Sequence, residues 1–98
     1  MVITILEAPI APETAPQLQA AFNQAIQDLD AGITETFLVR DLKDPRVWRI
    51  MTIWESREAL DAMRQSGETP RGVLMFRAAA AEPSLSVLEV LAHAERAP

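Results

Sequence analysis

The stretch Arg46–Leu60, RVWRIMTIWESREAL, predicts a β-strand that runs directly into a helix. Its first part is rich in β-branched and aromatic side chains, which favour a pleated sheet. Ser56 then supplies a hydroxyl for the first free N–H groups of a helix, and Glu58 adds negative charge near the helix N-terminus. Trp48 and Trp54 are an even number of residues apart, so both indoles lie on one face of the strand.

The composition predicts one acidic domain over residues 1–98, with its structured part at about 2–91, because 98 residues suffice for one core. The net charge of −5, without a block of Lys or Arg, argues against nucleic acid or an anionic membrane as a partner. The chain has no cysteine, which excludes disulfides and thiolate metal sites. The N-terminal segment resembles neither a signal peptide nor a membrane span, and we expect a cytoplasmic protein.

No cofactor or metal site is predicted. A single histidine leaves a metal dependent on carboxylates. The three glycines, Gly32, Gly67 and Gly72, form neither a phosphate-binding loop nor a dinucleotide fingerprint.

Hydrophobic periodicity and turn residues predict seven elements along the chain. Thr14 and Gln17 have the spacing of a capping box, and an apolar stripe follows as far as Gly32. The predicted elements are a strand at 2–7, this helix, strands at 33–40 and 46–54, helices at about 57–65 and 73–80, and a strand at 84–91.

The order β-α-β-β-α-(α)-β predicts an α+β fold, a ferredoxin-like βαββαβ protomer with a four-stranded antiparallel sheet. Simple alternation in the second strand places Ile33 on one face with Glu35, Phe37 and Val39. We expect Trp48 and Trp54 to face away from the helices, where a second sheet must cover them. A homodimer through the sheet faces is therefore predicted.

The run Trp54–Leu60, WESREAL, resembles the W-E-S-x-E-A-L signature of antibiotic biosynthesis monooxygenase (ABM) domains. Gly32, Asp44-Pro45 and Glu82-Pro83-Ser84 are similar to further marks of that family, and the resemblance covers about residues 2–91. It implies a dimeric α/β barrel with a pocket between sheet and helices in each subunit. It also implies either cofactor-free oxygenation of polyphenolic or quinol-type substrates, or heme degradation.

The chain departs from parts of the family pattern. Heme-degrading members use an asparagine on the first strand, a tryptophan late in the second helix and a histidine beyond it. The corresponding regions here offer Glu7, Met63 and a histidine-free segment around Val73, which argues against heme degradation. Polyketide-modifying members share the strand tryptophan, but they place an asparagine where this chain has Ile50.

Three residues are candidates for catalysis. The indole N–H of Trp54 can orient a phenolic oxygen at the mouth of an apolar pocket, although the ring can equally serve to pack the strand–helix junction. Glu7 becomes a candidate base if burial raises its pKa. Arg40 can orient an anionic oxygen, although a strand-end arginine is usually a solvated surface charge.

A set of flexible and flat apolar side chains is predicted to line a ligand pocket, with ordinary core filling as the alternative. This set consists of Phe22, Phe37, Ile50, Met51, Met63, Met75 and Phe76. Two functions remain open at this point. One is a cofactor-independent monooxygenase acting on a small aromatic, quinol-like substrate, and the other is a non-catalytic dimeric domain that binds a small hydrophobic ligand.

Overall fold

A computed structural model describes residues 1–97, which form a four-stranded sheet with helices on one face. The elements are β1 (Val2–Pro9), α1 (Ala15–Ala25), β2 (Ile33–Arg40), β3 (Val47–Trp54), α2 (Arg57–Gln65), α3 (Arg71–Ala78) and β4 (Ser84–Glu89). Neighbouring strands are antiparallel in the order β2-β3-β1-β4. The predicted α+β class and ferredoxin-like arrangement are confirmed.

The strand–helix junction forms as its sequence predicts. The chain leaves β3 at Trp54, and the Ser56 hydroxyl accepts a hydrogen bond from the Ala59 N–H at 3.1 Å. Glu58 lies in the first turn of α2, where the helix dipole favours a carboxylate.

The first helix differs from its prediction at both ends. The Thr14 hydroxyl donates to the Ala11 carbonyl and does not cap the helix, so the predicted capping box is absent. The helix ends at Ala25, and the Arg71 guanidinium donates to the carbonyls of Ala25 and Asp28 at this end, where carbonyls lack helical partners. Helix α3 also begins earlier than predicted, directly after Pro70.

The face of the sheet that carries the tryptophans is the one under the helices, and the expectation that they face away is wrong. The register pairs Val2 with Trp54 and Ala8 with Trp48, and both β1 residues are buried. Trp54 itself is only 3% exposed. The helix layer therefore covers the indoles within one chain, and their burial needs no second sheet.

A β-bulge in β2 overturns the predicted alternation of that strand. The register shifts between Ile33 and Glu35, so Ile33 pairs with Trp54 on the helix side while Glu35 faces outward. The bulged residue, Thr34, donates its hydroxyl to the Ile53 carbonyl at 3.2 Å. An inserted residue moves the side chains that follow it to the opposite face of the strand. A prediction from simple alternation does not include this shift.

The helix-facing side of the sheet carries two separate hydrophobic clusters. The larger one surrounds Leu6, Ile50 and Phe76, and the smaller one consists of Val2, Trp54 and Leu60. A row of threonines that pair across three strands, Thr4, Thr52 and Thr36, lies between the two clusters in the register. The core is thus divided by a line of hydroxyl groups.

The opposite face of the sheet, called here the outer face, has no helix against it among residues 1–97. Its side chains are largely apolar and only partly buried, and they include Ile5, Phe37, Val39, Met51 and Leu88. Phe37 is 42% exposed and Leu88 is 46% exposed. None of the described helices is both long and apolar enough to cross a bilayer.

Candidate functional site

A cavity of about 160 Å³ lies between the helix-facing side of the sheet and the three helices. The sheet supplies its floor, and residues of α1, α2 and the segment 70–75 supply its walls. The helices do not cover the sheet on the β4 side. Leu85 and Val87 show this, since both line the cavity and each is about half exposed. The cavity is therefore accessible from solvent.

The cavity floor carries the polar groups. Thr4, Thr52 and Thr36 stand side by side on β1, β3 and β2, and all three line the cavity. The Thr36 and Thr52 hydroxyl oxygens are 3.0 Å apart, within hydrogen-bond distance. The Trp54 indole N–H donates to the Thr4 hydroxyl at 3.1 Å. The floor is thus a short hydrogen-bonded array made of neutral groups.

The cavity walls are apolar. Phe22 comes from α1, Leu60 and Met63 come from α2, and Met75 comes from α3. Ile50 lies beside the threonine row on β3. A few polar groups within apolar walls are typical of a site for a small organic molecule.

Charged groups stand at the cavity margin. Arg71 donates to the Ala25 carbonyl at 3.0 Å and to the Asp30 carboxylate at 3.2 Å, and it also bonds the Asp28 carbonyl. This guanidinium ties the end of α1 to the start of α3. Arg64 also lines the cavity, and no carboxylate lies within ion-pair distance of it among residues 1–97.

The structure brings five of the predicted site residues together at the cavity: Trp54, Phe22, Ile50, Met63 and Met75. Phe76 lies in the same half of the molecule, but it is fully buried in the larger hydrophobic cluster and does not reach the cavity.

The remaining predicted residues lie elsewhere. Phe37 pairs with Met51 on the outer face, because both differ in phase from Trp54. Glu7 is also on the outer face and forms an ion pair with Arg49. Arg40 stacks over the Trp48 ring at 5.9 Å, at the far end of the helix-facing side. The site is therefore built on Trp54 without Glu7 or Arg40 beside it.

Neutral hydroxyls replace the expected ionisable groups at this cavity. Asp30 is the only carboxylate in its lining among the described residues, and it is engaged by Arg71. Residues 1–97 contain no group of three Asp, Glu or His side chains placed to hold a metal ion. The arrangement can bind, orient and desolvate an apolar ring that carries a polar oxygen.

Sequence reasoning missed Thr4, Thr36 and Asp30. Thr52 shares a face of β3 with Trp54, because the two residues are an even number of positions apart. Thr4 has the same signal once β1 is paired with β3, since Thr4 lies opposite Thr52. For Asp30 no local pattern exists, because its position depends on the early end of α1.

Comparisons with known proteins agree with this architecture. The family model for antibiotic biosynthesis monooxygenases (ABM) matches residues 1–81. No curated protein sequence matches the chain at a significant level.

Three solved structures with low sequence identity share the fold. A Deinococcus radiodurans protein that bears the name antibiotic biosynthesis monooxygenase has 17% identity, 100% coverage of both chains and a TM-score of 0.72. A MhuD variant with two manganese protoporphyrin IX molecules bound per active site has 20% identity, coverage of 98% and 100%, and a TM-score of 0.72. A variant of SnoaB, a cofactor-independent oxygenase from Streptomyces nogalater, has 11% identity, 94% coverage of both chains and a TM-score of 0.68. By the extent of the family match, the chain belongs to the antibiotic biosynthesis monooxygenase family.

Proposed function

We propose that this protein is a cytoplasmic, homodimeric monooxygenase that oxidises a small electron-rich aromatic, such as a quinol, without a bound cofactor. The observation that carries the proposal is the apolar cavity of about 160 Å³ with the Trp54 indole and threonine hydroxyls on its floor. Family membership and the structural likeness to a cofactor-independent oxygenase support it.

The proposed reaction draws every electron from the ring. A quinol in its deprotonated form gives electrons to O₂, one oxygen atom replaces a ring hydrogen, and the other leaves as water. The ring ends as a hydroxyquinone, so that atoms and electrons balance without an external reductant. The protein would bind the ring next to Trp54, orient its oxygen and exclude bulk water.

The proposed dimer uses the outer face. Phe37 and Leu88 are each more than 40% exposed there, beside the partly buried Met51. Two sheets packed face to face would remove this apolar surface from water at about 25 cal/mol per Å². The cavity lies on the opposite side of the sheet, so dimerisation would leave its entrance beside β4 open.

The test is oxygen uptake by the chelator-treated protein with a panel of quinols and anthrone-like phenols. We expect uptake above the buffer rate with the single-ring quinols, insensitive to further chelator. Trp54→Phe keeps an aromatic ring but removes the indole N–H that holds the Thr4 hydroxyl on the cavity floor. It is expected to lower the rate by about 10- to 100-fold, because orientation of the ring is lost.

Trp48→Phe is the matched control, since it makes the same change on the same face of β3 outside the cavity lining. It should retain the wild-type rate. A flat oxygen trace for every member of the panel would overturn the monooxygenase proposal. Binding of panel members without uptake would favour the second function, a domain that holds a small hydrophobic ligand, and the open cavity supports that alternative equally.

A further inference from the structure

The threonine row places three hydroxyls on the otherwise apolar floor of the cavity. Thr4, Thr52 and Thr36 interrupt an otherwise apolar surface, and Thr52 is only 8% exposed. Valine has nearly the same shape and carries no polar atom that needs a partner. A threonine hydroxyl, unlike the methyl group of valine, can donate a hydrogen bond to a molecule in the cavity.

The hydrogen bonds within the row leave protons without an acceptor. One hydroxyl proton is used between Thr36 and Thr52, while Thr4 accepts from the Trp54 indole. Among residues 1–97, no acceptor is recorded for the Thr4 proton or for the second proton of the Thr36–Thr52 pair. These protons are therefore free to be donated to an acceptor atom of a molecule inside the cavity.

The cavity size limits the molecule that can supply this acceptor. An apolar protein cavity of about 150 Å³ holds one benzene molecule. The cavity here measures about 160 Å³, and beyond the threonine row its lining is largely apolar, with the charged Asp30, Arg64 and Arg71 at its margin. A single ring with one oxygen fits within this volume, whereas a fused tricycle or a porphyrin would have to extend out of it through the open side beside β4.

We propose that the threonine row is the oxygen-binding floor of the site, and that it selects single-ring phenols and quinols. Thr4 and the Thr36–Thr52 pair donate to one ring oxygen from two sides, and the apolar walls hold the ring. The proposal deepens the proposed function by naming its substrate class, but it concerns binding and does not depend on turnover. It rests on the register of three strands and on the volume of the cavity.

The experiment compares two probes of the same shape, p-cresol and p-xylene, which differ by a hydroxyl in place of a methyl group. Their binding to the full-length protein is measured by calorimetry and by quenching of tryptophan fluorescence. We expect the wild type to prefer p-cresol by about tenfold, which is the usual worth of one net hydrogen bond. The tricycle 9-anthrol should neither bind in the cavity nor displace p-cresol.

The variant Thr36→Val/Thr52→Val removes two hydroxyls and keeps the shape of the floor. It should show a smaller preference for p-cresol, because Thr4 is then the only hydroxyl of the row that can donate to the ring oxygen. Its melting temperature should equal or exceed that of the wild type, because neither hydroxyl of the removed pair is left without its partner. Thr34→Val is the matched control, since the Thr34 hydroxyl bonds the Ile53 carbonyl and does not line the cavity. The control should keep the preference for p-cresol.

Two results would overturn the proposal. One is an unchanged preference for p-cresol in the double valine variant, and the other is no binding of p-cresol by the wild type at millimolar concentration. Oxygen uptake separates this proposal from the monooxygenase proposal. Suppose that the valine variant weakens the preference for p-cresol but that no quinol gives oxygen uptake. This result would rule out the monooxygenase proposal and would still support the oxygen-binding floor.

Discussion

At the scale of single residues, Asp41 organises the turn that joins β2 to β3. Its Oδ1 accepts from the Lys43 N–H at 2.7 Å and from the Asp44 N–H at 3.0 Å, and its Oδ2 accepts from Arg49 at 3.0 Å. The bond from the Asp44 N–H, followed by those from Arg49 and Lys43, lowers the pKa of the Asp41 carboxyl. The ionised form therefore stabilises the fold.

The pH dependence of stability follows from the direction of this shift. The contribution of Asp41 is complete above the pKa of an unfolded aspartate, about 3.9, and it is lost as the pH falls through the lower folded value. Asp41→Asn should lower the melting temperature at pH 7 and make the decline in melting temperature below pH 4 less steep. The measurement is thermal unfolding by circular dichroism between pH 7 and pH 2.

Asp61→Asn is the control for this experiment, because Asp61 has only a long contact of 4.0 Å with the exposed Arg57. Its melting curve should run parallel to that of the wild type. If the melting temperature of Asp41→Asn falls below pH 4 as steeply as that of the wild type, Asp41 adds nothing to the pH dependence of stability.

At the scale of elements, Gly32 allows α2 to pack against the start of β2. Its φ is +90°, and a Cβ at this position would lie 2.5 Å from the Ala59 Cβ. Its carbonyl accepts from the Glu55 N–H at 2.8 Å, which holds the strand–helix junction against β2. Only glycine satisfies both the backbone conformation and the close approach.

Gly32→Ala should therefore lower the free energy of unfolding by about 2–4 kcal/mol, as the sum of backbone strain and overpacking. Urea unfolding followed by tryptophan fluorescence measures this change. Gly67→Ala is the matched control, because Gly67 has φ +78° but no neighbour within 4 Å of the added Cβ. It should lose only about 1–2 kcal/mol, the backbone share. Equal losses in the two variants would contradict the packing role of Gly32.

Elements were more predictable than the faces they present. The bounds of β2 and α2 follow from local sequence, since a strand of alternating residues and the Ser56 cap are local signals. The bulge at Thr34 and the early end of α1 depend on partners distant in sequence, Ile53 and Arg71. Long-range hydrogen bonds leave no mark on local periodicity, so these features could not be predicted.

At the scale of the whole molecule, the outer face is the surface through which the dimer is proposed to form. Met51 lies on the central strand β3 of that face, between Ile5 on β1 and Phe37 on β2. Met51→Lys would place a charge in the middle of the proposed interface without touching the cavity. We expect the wild type to sediment at twice 10.8 kDa and the variant to dissociate with a dissociation constant raised about 100-fold or more.

Leu42→Lys is the control for assembly, because Leu42 is 97% exposed in the turn after β2. It should leave the mass unchanged in analytical ultracentrifugation. A wild type that sediments as a monomer, or a Met51→Lys variant with the wild-type mass, would rule out the dimer through this face.

The candidate site was predictable only in part. Trp54, Ile50 and Met63 all line the cavity. The two β3 residues follow the two-residue period of their strand, and Met63 follows the period of its helix. Glu7, Met51 and Phe37 were chosen by residue type, and a one-residue difference in phase puts them on the outer face. Whether a strand residue can take part in a site therefore depends on the face of the sheet that it occupies as much as on its side chain.

The lining of the cavity has a consequence for the acidity of its ligands. His93, the only histidine of the chain, is not among the lining residues, and the chain has no cysteine, so the side chains that most readily exchange protons near neutral pH are absent there. A phenol bound there as proposed would lose its proton to solvent, which reaches the cavity beside β4. Electron-withdrawing substituents increase the ionised fraction but make the ring a poorer reductant, so the best ring is a compromise between these demands. Among rings of equal shape, the one with the highest oxidation rate would therefore change with the pH of the solution.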